Sequence, residues 1–97
     1  MTEADANNAI DLRATMVPNP GEHTRVKLAL DIAVEQVLTE PGCLRYEIIK
    51  DSEEEIVLAE RWASQEDLDR HARGPALQDL RESLSALLAE PLKVEQV

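Results

Sequence analysis

The order in which hydrophobic periods alternate along the chain is what most restricts its fold. Ile10, Leu12, Ala14 and Met16 alternate with Asp11, Arg13 and Thr15, the two-residue period of a half-buried strand. Pro18, Asn19, Pro20 and Gly21 break that pattern. Beyond them Val26, Leu30, Ala33, Val34, Val37 and Leu38 recur at offsets of three and four, one face of a helix. Asn19 is placed to cap this helix, with Pro20 in its first position and Glu22 three residues after the cap. Leu28 and Ile32 widen the apolar arc, which predicts a helix buried on its flanks as well. Pro41 and Gly42 end it near Thr39.

Two strands follow. Leu44 to Lys50 places Leu44, Tyr46 and Ile48 on one face, and Cys43, Arg45, Glu47 and Ile49 on the other. A polar turn, Asp51 to Glu54, joins it in a hairpin to Ile56–Trp62. In that third strand Ile56, Leu58, Glu60 and Trp62 share one face, and Val57, Ala59 and Arg61 the other. Both faces are mostly apolar, so this strand is predicted to be central and covered twice. Ser64 and Asp67 open a second helix that breaks at Gly74-Pro75. A helical stripe of Leu77, Leu80, Leu84, Leu87 and Leu88 runs on to Pro91, and Leu92–Val97 reads as a last strand.

Strand, helix, two strands, broken helix, strand is the α+β, ferredoxin-like order, with both helical layers on one side of a four-stranded antiparallel sheet. Residues 9–97 form this one domain, and residues 1–8 are expected to be a disordered tail. Nothing in the chain covers the sheet's second face, so a homodimer is expected to seal it.

Composition removes several function classes. Twenty acidic side chains against ten basic ones give a formal charge of −10, a surface that repels a phosphate backbone or an anionic membrane. Nucleic-acid and membrane partners are therefore not expected. Cys43 is the only cysteine, so no intrachain disulfide can form, and a cytoplasmic location is the default expectation. His23 and His71 lack a cysteine or carboxylate at ligand spacing, so no metal site is expected. With one Trp, one Tyr and no Phe, an aromatic-lined pocket has to be built around Trp62 and Tyr46.

Three segments together resemble the antibiotic biosynthesis monooxygenase family, quinol monooxygenases among them. They are Glu40-Pro41-Gly42-Cys43-Leu44-Arg45-Tyr46-Glu47, then Glu60-Arg61-Trp62-Ala63-Ser64, then His71 with Pro75-Ala76-Leu77. The resemblance implies a dimeric α/β barrel, with two sheets packed face to face and a pocket between sheet and helices in each protomer. It also implies oxidation of a small phenolic, quinol or polyketide-like substrate by O2 without metal or flavin. Haem-degrading members carry an Asn on the first strand. Residues 9–17 hold none, and Asn7 and Asn8 precede the strand, which disfavours haem degradation. A metabolite-binding or stress-related dimer, or an isomerase on the same scaffold, remains the alternative.

Each site residue has a plain structural reading beside the functional one. His71 follows Leu68 by one helical turn and can face the sheet, where a neutral imidazole would take a proton from a phenol. Otherwise it caps the helix before Gly74. Trp62 either walls the pocket and stacks on a flat substrate or fills space beneath the helix break. Tyr46 either hydrogen-bonds substrate or His71, or is a core ring. Glu60, a carboxylate among Ile56, Leu58 and Trp62, needs a partner. Arg13 or Arg45 on a neighbouring strand is expected to supply it, and Arg13 is for that reason included among the pocket residues. Cys43 reads as a small packing residue.

Overall fold

A computed structural model describes residues 8–97. Residues 1–7, most of the expected tail, lie outside the described residues. The elements are β1 (Ile10–Met16), α1 (His23–Val37), β2 (Cys43–Asp51), β3 (Ile56–Trp62), α2 (Gln65–Ala72), α3 (Pro75–Leu84) and β4 (Lys93–Gln96). The strands pair antiparallel throughout in the order β2-β3-β1-β4. Helices pack over one face of this sheet, the ferredoxin-like arrangement that the periodicities predict.

The buried layer is aliphatic. Leu12, Ala14 and Met16 of β1 and Ile56 and Leu58 of β3 meet Val26, Leu30, Ala33 and Val37 of α1. From α3 come Ala76, Leu80 and Leu84. Fully burying an aliphatic side chain is worth about 1.5–3 kcal/mol, and this layer is what holds α1 and α3 to the sheet.

Three local expectations change. The first helix begins at His23, not after Asn19. Gly21 takes a φ of +84°, where L side chains are disfavoured, so the helix cannot run through it. Asn19 instead ties the loop to the segment after α3, its backbone N–H donating to Leu87 O at 2.8 Å and its Nδ2 to Ala86 O at 3.4 Å. Leu28 and Ile32 are more than half exposed, at 60% and 52%, so α1 buries one stripe rather than its flanks.

The phase of β2 also differs. A register shift between Cys43 and Arg45 sets Cys43 opposite Trp62 and Arg45 opposite Arg61. One extra residue reverses the alternation there. Leu44, 53% exposed, is turned away from the face that Tyr46 buries. A second shift lies between Ile48 and Lys50.

The sheet's other face is less apolar than the sequence implies. Val57, Ala59 and Ile49 are bordered there by charged residues. Arg61 Nη1 reaches Asp11, its direct cross-strand partner, at 3.1 Å. Arg45 Nε pairs with Glu47.

Candidate active site

Four of the five residues singled out in the sequence meet where β3 leaves the sheet beneath α2. The local chain explains how. Ser64 caps α2, its Oγ accepting from Asp67 N–H at 3.1 Å and donating to Asp67 Oδ2 at 2.9 Å. That fixes the helix start, and His71 falls almost two turns on, against the sheet. Its side chain is buried, as expected for the inward-facing reading and not for a solvated cap.

The His71 ring is held from three directions. Trp62 stacks on it with centroids 4.5 Å apart and planes at 27°. Tyr46 meets it edge-on at 5.6 Å and 71°. Such ring pairs contribute roughly 0.5–1.5 kcal/mol beyond their buried area. The third contact is one the sequence reading missed: Nδ1 lies 2.9 Å from Glu40 Oε1. Glu40 closes the α1–β2 turn thirty-one positions away, so no spacing rule links the two. Its place depends on Gly42, whose φ of +78° makes the turn and whose missing Cβ would sit 2.2 Å from Asp67 Cγ. The Gly42 carbonyl also accepts from Ala63 N–H at 2.8 Å, joining the turn to the end of β3.

Glu60 does find a partner, but not the expected arginine. Its Oε1 accepts from Trp62 Nε1–H at 3.0 Å. Glu60 faces Leu12 on β1 and Tyr46 on β2 across the sheet. Arg13 is opposite Ala59 and exposed on the other face, and Arg45 is opposite Arg61. Strand alternation requires this, since residues adjacent to an inward-facing position point outward. Arg13 therefore does not reach the pocket.

Electrostatics follow from burial. Loss of water pushes the Glu60 carboxyl above its ordinary value, against the Trp62 hydrogen bond and the nearby His71, which favour the charged form. The Glu40 charge adds to the rise. Burial, with Glu60 and Glu40 beside it, pushes the Tyr46 phenol far above its usual range, so it remains a hydrogen-bond donor. Burial likewise raises the Cys43 thiol, as expected of a packing residue and not a nucleophile.

Between sheet and helices lies a cavity of about 120 Å³. Leu12, Ala14, Met16 and Leu58 form its floor, and Leu68, Leu77 and Leu80 its roof. Tyr46, Glu60, His71 and Arg81 provide its polar groups. Trp62 is fully buried behind His71 and is not among the lining residues, so it braces the imidazole rather than stacking on an occupant. A second, open groove of about 400 Å³ reaches His71 from outside the sheet, between the C-terminal end of α1 and the α2–α3 junction, with Glu40 in its wall. Among the described residues no three His, Cys, Asp or Glu side chains gather as a metal-holding group.

The cavity lies between sheet and helices, with the buried His71 at its edge. The model of the family described as antibiotic biosynthesis monooxygenase matches residues 10–83. The chain belongs to that family. Among similar family proteins, Rv0793 of Mycobacterium tuberculosis is 29% identical over 82 residues, covering 84% of this chain and 81% of the relative. The solved structure of Rv0793 superposes with a TM-score of 0.85 at 27% identity, over 92% of each chain. PA3566 of Pseudomonas aeruginosa gives a TM-score of 0.84 at 25% identity, over 93% of this chain and 92% of the other. A Methanosarcina mazei protein at 20% identity, with a TM-score of 0.87 and coverage of 100% and 97%, shares the fold. In this antibiotic biosynthesis monooxygenase family member, the matched segment contains Glu40, Tyr46, Glu60, Trp62 and His71 together.

Proposed function

We propose that the protein is a cofactor-independent monooxygenase acting on a small phenolic or quinol substrate with O2. The observation that carries this reading is His71, whose ring is clamped by Trp62, Tyr46 and Glu40 while lining an aliphatic cavity. With Nδ1 occupied by Glu40, Nε2 is the nitrogen left to take a proton from a bound hydroxyl. The resulting phenolate is electron-rich enough to give one electron to O2, which avoids the spin barrier to direct reaction. Recombination at the ring carbon gives a peroxide anion, which takes a proton back from His71 Nε2 to become a hydroperoxide. Loss of water then leaves a carbonyl, so one oxygen atom enters the substrate and the other departs as water. Tyr46, held protonated, can donate a hydrogen bond to the developing carbonyl.

Cavity size narrows the substrate. An apolar cavity of about 150 Å³ takes up benzene. The 120 Å³ space here accepts a single ring, and a fused polyketide would need the helices to part. A homodimer belongs to the same reading: Val57, Ala59 and Ile49 form an apolar strip on the uncovered face, and the ion pairs Arg61–Asp11, across strands, and Arg45–Glu47, within β2, can border a contact with a second copy.

Oxygen uptake with a panel of single-ring quinols tests the activity. The expected result is uptake above the blank that falls roughly 10²–10⁴-fold in His71→Ala. No uptake under air, with a ligand retained on purification, favours a binding protein. Product formed without oxygen favours an isomerase.

A further inference from the structure

His71 lines both the inner cavity and the open outer groove, and the residues on its two sides differ in kind. Of these two spaces, Tyr46 and Glu60 line the inner cavity and Glu40 lines the groove. The Glu40 side chain keeps 21% of its surface exposed, against 3% for His71. The hydrogen bond between Nδ1 and Glu40 Oε1 thus joins a buried imidazole to a carboxylate that solvent reaches.

We propose that Glu40 is a positioning residue that fixes the His71 tautomer and then discharges its proton to the groove. This rests on the reading of His71 as the base. A carboxylate can only accept, so a neutral His71 bonded to it must carry its proton on Nδ1, which leaves the Nε2 lone pair free. A substrate hydroxyl gives its proton to Nε2, and the imidazolium formed is stabilised by the Glu40 charge. The Nδ1 proton passes to Glu40 Oε1 and from there to solvent in the groove. One proton enters at Nε2 and one leaves at Nδ1; when Nε2 then gives its proton to the peroxide anion, Nδ1 regains one from solvent through Glu40, and the Nδ1-protonated tautomer is restored. Other charges around the ring do not offer this outlet. Glu60, on β3, is buried and held by Trp62, and Asp67 is engaged by Ser64 and by Arg70 at 2.9 Å.

Nitrogen-15 NMR of the imidazoles in a His23→Gln background, where His71 is the only histidine, reads the tautomer directly under alkaline conditions. The expected spectrum has a protonated Nδ1 and an unprotonated Nε2. Glu40→Gln, whose amide can donate to Nδ1, is expected to move population toward the Nε2-protonated form. It should also lower kcat at least about tenfold with KM within about twofold, since a misplaced histidine proton is costly to a general base. A wild-type His71 protonated on Nε2 overturns the proposal, as does a folded Glu40→Gln protein with an unchanged tautomer. The wild-type spectrum decides the first point even if the variant does not fold. Absence of any oxygen uptake would defeat the monooxygenase reading without altering the tautomer result.

Discussion

Trp62 Nε1 donates its hydrogen bond to Glu60 Oε1, two positions earlier on the same strand and the same face, at 3.0 Å. The bond lets β3 carry a carboxylate through an otherwise aliphatic interior, and it brings the Trp62 ring under His71. Removing the donor while keeping the ring isolates its value. Trp62→Phe preserves the stack but strips a buried carboxylate of its partner, and is expected to cost about 1–3 kcal/mol. Chemical denaturation of Trp62→Phe, Glu60→Met and the double variant measures this, since methionine removes the acceptor. If the energies simply add, the hydrogen bond is not the coupling between them.

Glu60 makes stability depend on pH with a definite sign. Its carboxyl is raised in the fold, so over the window above the unfolded glutamate value the native state binds more protons than the unfolded chain. Stability from this group is then lost as pH rises from about 4.3 through the raised native value. Glu60→Gln keeps an oxygen to accept from Trp62 and removes the titration. The variant is expected to melt higher than wild type at pH 8, with the gap closing toward pH 4. A gap independent of pH would show that Glu60 is not the group responsible.

Gly42 carries the turn that brings Glu40 to His71. Gly42→Ala would place a Cβ in a left-handed conformation, costing roughly 1–2 kcal/mol, and against Asp67, where overpacking adds about 1–3 kcal/mol. Asp67 is held by Ser64, so the side chain cannot simply swing clear. Thermal unfolding should show a clear loss of stability, and Gly21→Ala, with no atom within 4 Å of the added carbon, a smaller one. Equal losses would mean that backbone conformation alone matters.

Most of the layer architecture was legible because β1, α1 and β3 each bury one face with an unbroken period. Trp62 and His71 each stand in the segments that carry the family resemblance, but their stacking on one another does not follow from them. Four things were not read correctly. The register shift at Cys43–Arg45 leaves no mark in composition, so alternation alone put Leu44 on the wrong face. Strand pairing points to an arginine on a neighbouring strand as the partner of Glu60, whereas the donor is a Trp two residues along the same strand. Arg13 could have been excluded from the sequence itself, because it alternates with Leu12 and Ala14. Glu40 could not have been found that way, since only the folded turn brings it to His71.

The uncovered sheet face gives the last prediction. Ala59 lies on β3 between Arg13 on β1 and Glu47 on β2, with the apolar strip of Val57 and Ile49 close by. Ala59 is already buried among its neighbours in the protomer, but a glutamate there would reach out over the strip, and its charge would have to be desolvated at the centre of a contact with a second copy. If the proposed dimer forms, wild type sediments as a dimer at micromolar concentration and Ala59→Glu is expected to sediment as a monomer. The inner core, on the opposite face, should be little affected, so the variant's circular dichroism should match wild type. A wild-type protein that sediments as a monomer removes the dimer from the account. An Ala59→Glu dimer as tight as wild type moves the interface to another surface.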